Sequence, residues 1–386
     1  MNELSMVKHL SKNDIIKNGS IFTPPHITNI VKKLVSPLLN TNSVIMDFGA
    51  GYGAFVSEFI DTNIKIIATD IDSISCEYLK NEFQNITVIN ENSLLNCLRS
   101  KYELFNEDII VVGNPPYNDI TSQYKKGQKG SISMDEDLVA RDLGVSFMRM
   151  YAKLKAKYIC ILHPLAYLIK KTNFNSLKQF AKNYVLKDAT IFSSKEFESL
   201  SKSSSEFPVV AALYEQNPNG MDFEYIQNFS FNILNSTKKF VLINIKTIDG
   251  IIPKYPTKNK PDNCLQFYTI RDINALKRNT TFLDGYCANG LEVSINNLYQ
   301  YSWLAIFKSL FNPKENKYLY GNLSPLYSSK IEDKFYKNQL VSYTYLNYDL
   351  IKKYFSKEEI EKTYGKINEK IKESDLLLLV ESTYIF

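Results

Sequence analysis

Three short stretches of this chain hold residue types suited to chemistry, and the most specific is Asn114-Pro115-Pro116-Tyr117. It ends the apolar run Ile109-Ile110-Val111-Val112-Gly113, which reads as a buried strand. Two consecutive prolines lock φ and have no N–H to donate, so the carbonyls of Asn114 and Pro115 are held out of any ladder. The result is a preset cluster of acceptors beside an aromatic ring. A planar substrate with an exocyclic amino group suits it: the carbonyls accept from the NH2 and Tyr117 stacks on the ring. A strand-to-loop turn that merely contains two prolines is the other reading of the tetrapeptide alone.

The second stretch, Asp47-Phe48-Gly49-Ala50-Gly51-Tyr52-Gly53, follows the apolar residues 44–46 and is expected to open a helix over 54–60. Glycines there let the backbone approach a ligand, and a helix N-terminus favours a carboxylate or phosphate. The third is Asp70, at the end of the run 65–70. A carboxylate in that place accepts both hydroxyls of a ribose, or it caps the next helix.

Residues so spaced need strands alternating with helices to position them. Apolar runs at 44–47, 65–70, 86–89, 109–112 and 158–162 read as strands, with helices at 74–83, 147–154 and 174–184 and late strands at 189–192 and 209–214. Asp72 and Ser73 are placed to cap the helix at 74. The pattern predicts βαβ units and an α/β fold with a doubly wound, mostly parallel sheet. Residues 195–206, rich in serine, read as an exposed loop. A polar Pro- and Gly-containing segment at 215–221 marks a boundary, giving domains 1–220 and 221–386. The second domain reads as mixed α+β, with a strand at 239–245 and a Glu/Lys-rich helix at 357–371.

Composition narrows the function classes. With 386 residues the chain has room for two domains, and its net charge of +5 permits a polyanionic partner without demanding one. Five cysteines without a CxxC pair and only three histidines argue against a disulfide frame or a metal centre. No stretch has the length and apolarity of a signal core or membrane span, so a cytoplasmic protein is expected.

The order of glycine loop, strand-end acid and Asn-Pro-Pro-Tyr resembles the S-adenosylmethionine-dependent amino-methyltransferases, specifically the bacterial DNA adenine-N6 methyltransferases. The resemblance covers roughly residues 15–215 and implies a class I, Rossmann-like methyltransferase fold with a reversed last hairpin. It implies that Asn114, Pro115, Pro116 and Tyr117 act on the target base. It also implies that Asp47, Gly49, Gly51, Gly53, Asp70, Ile71, Asn92, Ser93 and Asn114 hold the cofactor, although Phe48-Gly49 and Asn92 depart from the usual residues. Phe22-Thr23-Pro24 resembles an element that closes over the methionine end of the cofactor. In purely local terms, Thr23 would cap a helix beginning at Pro24. Phe197 or Phe207 would stack on the far face of a flipped base, with Phe197 preferred and Phe207 equally suited to the core. Lys125, Lys126 and Lys129, with Gly127 and Gly130, form a basic loop that would follow a DNA backbone or simply be solvated.

About 60 residues separate the loop from Asn114, too few for a central recognition insertion. The order therefore resembles the gamma class, with a DNA target-recognition domain at 221–386. The implied partners are double-stranded DNA and a cognate restriction endonuclease, with no membrane and no metal. Two rivals stand beside this reading: methylation of RNA or a protein glutamine amide by the same tetrapeptide, and a non-catalytic specificity subunit that keeps the fold.

Overall fold

The computed structural model describes residues 22–117, 133–197, 206–256, 263–270, 281–311 and 323–383. The basic loop at Lys125–Lys129 and the serine patch lie outside these residues. Two compact units are present, Met1–Leu242 and Ile243–Phe386. The first thus runs past the expected boundary at residue 220, because the chain after it adds two strands to the large sheet.

That sheet has nine strands: β1 Ser43–Phe48, β2 Lys65–Asp70, β3 Thr87–Asn90, β4 Asp108–Gly113, β5 Tyr158–Pro164, β6 Tyr184–Ser193, β7 Pro208–Gln216, β8 Ser230–Ile233 and β9 Lys239–Val241. Their order is β3-β2-β1-β4-β5-β7-β6-β8-β9. Neighbours from β3 through β5 are parallel, while β7 runs antiparallel to both β5 and β6. This is the doubly wound sheet that the sequence predicts, with the reversed hairpin that the resemblance implies at β6 and β7, extended by β8 and β9. The central strands are covered on both faces, and every residue of β1 is buried, so they read as continuous apolar runs without alternation.

Helix α1, Pro25–Val35, packs Ile27, Val31 and Val35 onto Ile45, Ile110, Val112 and Cys160. α2 is Ser73–Glu82 and α3 is Leu143–Lys153; Tyr151 of α3 meets Phe48 on the opposite face of the sheet, 5.7 Å between centroids.

Several local expectations fail for physical reasons. The helix expected at 54–60 is only a 3-10 turn, Val56–Glu58. Ser57 and Thr62 bond to the carbonyls of Ala54 and Phe59, which offers the backbone an alternative to a helical ladder. Residues 174–184 break into short turns around Lys178–Ala181, and β6 starts early, at Tyr184. α1 begins at Pro25, not Pro24; Pro24 holds the cap position with extended backbone, and no side chain caps the helix. Thr23 is therefore not the cap.

In the second unit, β10 Leu265–Tyr268, β11 Phe282–Asp284 and β12 Gly290–Glu292 form a small antiparallel sheet. Helices α4 Leu298–Leu310, α5 Lys334–Asn347, α6 Asp349–Tyr354, α7 Lys357–Tyr364 and α8 Glu373–Glu381 complete the unit, the mixed α+β character expected. The helix predicted over 357–371 stops at Gly365, whose φ of +91° ends it. The strand expected at 239–245 in the second domain belongs instead to the first unit as β9; it stops at Val241 and continues as a 3-10 turn. Trp303 is the buried anchor of this unit, its indole N–H donating to the Leu326 carbonyl at 3.0 Å.

Candidate functional site

Because β1 to β4 are parallel, the segments that follow them emerge at one edge of the sheet, on either side of the point between β1 and β4 where strand order reverses. The glycine loop follows β1, Asp70 ends β2, Asn92 follows β3 and Asn114 follows β4. Four of the predicted groups thus share one edge.

Gly49, Gly51 and Gly53 all have positive φ, conformations that a side chain would oppose. The loop is pinned to the neighbouring strand. The amides of Gly49 and Ala50 donate to the Thr69 carbonyl at 2.8 and 3.0 Å, and that of Gly51 donates to Asp70 Oδ2 at 2.7 Å. Asp70 Oδ1 accepts the Asp72 N–H at 2.9 Å. Burial raises the Asp70 carboxyl above its ordinary pKa, with the Asp72 and Gly51 donors opposing the shift. Asp72, not Asp70, caps α2, accepting the Ser75 N–H at 3.0 Å. Ile71, between them, is 65% exposed.

Asp47 is the anomaly of the site. It is 1% exposed, and neither carboxylate oxygen has a hydrogen-bond partner among the described residues. Burial, then the nearby Asp70 charge, pushes its pKa well above the usual carboxylate range. A Cβ on Gly113, which has φ +148°, would sit 2.7 Å from Asp47 Oδ1, so only glycine ends β4 beside it. A buried carboxyl without a donor is costly to ionise.

Asn114 and Thr23 bring the two proline-containing motifs together. The Asn114 amide donates to the Thr23 hydroxyl at 3.3 Å, and Thr23 is 3% exposed. That bond directs the amide nitrogen to Thr23 and leaves the carbonyl end as the acceptor that a target amino group needs. Asn92 is engaged locally: its amide donates to the Ser133 carbonyl at 2.7 Å and its oxygen accepts the Leu94 N–H at 3.1 Å. Ser93, by contrast, pairs with Thr69 at 2.7 Å in the interior. Tyr117 turns its ring toward Tyr167, 6.0 Å between centroids, and its buried hydroxyl has no partner among the described residues.

Of the two aromatic candidates beyond β6, Phe197 is 2% exposed and packs on Phe192 within the core. No face of it is open to a base in this arrangement, which corrects the preference for Phe197. Phe207 is only half-buried at the rim of the same cluster. Sequence reasoning missed the surroundings of Tyr117, namely Asp142, Gly144, His163 and Tyr167. A groove of about 570 Å³ beside Phe174, Lys178, Gly220 and Tyr225 contains none of the predicted residues.

S-adenosylmethionine, the cofactor implied by the resemblance, carries an ammonium group and a ribose. The residues present fit it: the orphaned Asp47 carboxyl needs a cationic or donating partner, and Asp70 at the loop edge has lone pairs to spare for hydroxyls.

No family model matches the chain. Over 120 residues, 30% of its length, it is 31% identical to an rRNA adenine N-6-methyltransferase of Limosilactobacillus reuteri. Over 112 residues it is 30% identical to ribosomal RNA small subunit methyltransferase A of Mycoplasmopsis synoviae strain 53. These matches span 46% and 42% of the relatives, less than half of each protein. A dimethyladenosine transferase structure from Plasmodium falciparum aligns with 51% of the chain and 63% of its own, at 13% identity and a TM-score of 0.34.

Proposed function

We propose that this chain transfers a methyl group from S-adenosylmethionine to N6 of an adenine flipped out of double-stranded DNA, within a restriction-modification system. The observation that carries the reading is the bond from Asn114 to Thr23, which joins Asn-Pro-Pro-Tyr to Phe-Thr-Pro at the sheet edge that also holds the glycine loop and Asp70.

When bound, the cofactor supplies an electrophilic methyl group on a sulfonium. The ring amino group of adenine is a poor nucleophile because its lone pair is delocalised. Asn114 Oδ1 and the Pro115 carbonyl accept its two hydrogens and hold the nitrogen in the geometry that localises the pair. As the new N–C bond forms, the methyl–sulfur bond breaks with its electron pair left on sulfur as a neutral thioether, and the same oxygens would stabilise the positive charge on nitrogen until a proton leaves to water. Tyr117 stacks on the base and Phe207 covers its other face, offsetting the few kcal/mol that flipping costs. Residues 243–386 would read the sequence.

A second reading, adenine methylation in RNA, has its own support: the matched relatives are rRNA enzymes. The test is to incubate the chain with methyl-labelled cofactor and either plasmid DNA free of adenine methylation or unmethylated rRNA, then to identify the modified nucleoside. N6-methyladenine in DNA alone is expected. Label in RNA alone selects the second reading, and cofactor binding without label in either polymer selects a non-catalytic subunit.

A further inference from the structure

Tyr117 does not stand free at the end of its motif. One side of its ring meets Tyr167 edge-on, with planes at 79°. Another meets Gly144, the second residue of α3. A Cβ at 144 would lie 2.5 Å from Cδ1 and 2.8 Å from Cε1 of Tyr117, and 2.7 Å from the Tyr167 hydroxyl. The backbone there is ordinary helix, which favours alanine over glycine; space for the two rings is what requires glycine.

The seat is itself tied down. Tyr167 donates its hydroxyl to Asp142 Oδ1, and the same oxygen accepts the Gly144 N–H at 2.9 Å, capping α3. The Tyr167 ring stacks on His163 at 5.4 Å and 16°. His163 is fully buried and bonded on both sides, to the Tyr214 hydroxyl at 2.7 Å and the Pro164 carbonyl at 3.0 Å. By contrast, the buried Tyr117 hydroxyl has no partner among the described residues. Among the described residues, shape and not a hydrogen bond sets the angle of its ring.

We propose that Gly144 and Tyr167 are positioning residues, a seat of fixed shape that holds Tyr117 at the angle needed to stack on the target adenine. This rests on the methyl-transfer reading above. Neither residue touches the base or cofactor in this account; both act through Tyr117.

The test uses the full chain with 3-fluorotyrosine at position 117 and the variants Gly144→Ala, Tyr167→Leu and Tyr167→Phe. Gly144→Ala and Tyr167→Leu are expected to move the fluorine resonance and to lower kcat by at least about tenfold, with whichever polymer the parent methylates, because small misplacements near a reacting centre are costly. Cofactor affinity should stay within about twofold, since the contacts that form the seat run to Tyr117, Asp142 and His163 and not to the glycine loop or Asp70. Tyr167→Phe keeps the ring but loses the bond to Asp142, so its resonance and kcat should lie between those of the parent and of Tyr167→Leu. An unmoved resonance in both Gly144→Ala and Tyr167→Leu, or undiminished kcat once it moves, overturns the proposal. Should Gly144→Ala not fold, the two Tyr167 variants decide by the same criteria. If the parent chain methylates neither DNA nor RNA, the positioning role falls with the reaction. A resonance that still responds would then mark the reading, and not the seat, as the part in error.

Discussion

The side-chain amide of Asn114 donates to the hydroxyl of Thr23 at 3.3 Å, across 91 positions of sequence. The segment before the glycine loop thus aligns the group proposed to accept the hydrogens of the target. Thr23→Val keeps the shape and removes the acceptor. Losing one neutral hydrogen bond should lower kcat by about two- to tenfold, with Thr23→Ser restoring it. Asn114→Ala should cost far more, on the order of a hundredfold or greater, while calorimetry gives near-parental cofactor affinity. An equal loss of binding and turnover would contradict the assigned roles.

Asp70→Ala should act first on cofactor binding. Two hydroxyls would lose a charged acceptor, and the Gly51 amide would lose the bond that pins the loop. A decrease of about ten- to a hundredfold in affinity is expected. An unchanged dissociation constant would reduce Asp70 to a loop anchor.

Asp47 predicts a pH dependence. The fold raises its pKa, so its contribution to stability is complete below the unfolded value of about 3.9 and is lost as pH rises through the raised one. Asp70 and Tyr151 are the titratable groups linked to it electrostatically. The ligand-free protein should therefore melt at lower temperature as pH climbs toward neutrality, and Asp47→Asn should flatten that slope while weakening cofactor binding. Thermal melts across pH, with and without cofactor, measure both. A melting temperature that falls with rising pH as steeply in Asp47→Asn as in the parent would refute the account.

A chain ending at Leu242 should fold, because β8 and β9 are then retained on the sheet. It should bind cofactor but lose site-specific methylation if the second unit reads sequence. Sequencing of modified DNA decides: continued methylation at one defined site would place recognition elsewhere. Ending the chain near residue 218 instead would strip β8 from beside β6 and should lower the melting temperature.

The central strands were legible because parallel strands buried on both faces must be apolar throughout; the run 65–70 coincides with β2 residue for residue. The motif residues were legible for a related reason, since proline pairs and clustered glycines carry backbone constraints that need no tertiary context. The segment 54–60 misled because Phe55, Val56 and Phe59 are buried at a spacing that also suits a helix, while Ser57 and Thr62 decide locally against one. The seat of Tyr117 was illegible because its members meet only after folding. Tyr167 finds Asp142 25 residues away, and His163 finds Tyr214 51 residues away. One trace was present: a glycine at the start of a helix among bulky neighbours, where α3 begins four residues earlier than the apolar pattern suggests.

The position of β7 has a consequence for the chain as it is made. β5 pairs with β4 on one side and with β7 on the other, whereas β6, synthesised between them, has no pairing with β5 at all. A nascent chain leaving the ribosome therefore exposes an apolar strand edge at 158–164 until residues 208–216 have emerged. Closure depends on a long-range contact formed late, and an unpaired edge in the interval is a template for aggregation. Substitutions that weaken β7, such as at the fully buried Ala211 or Ala212, should appear first as insoluble product during expression.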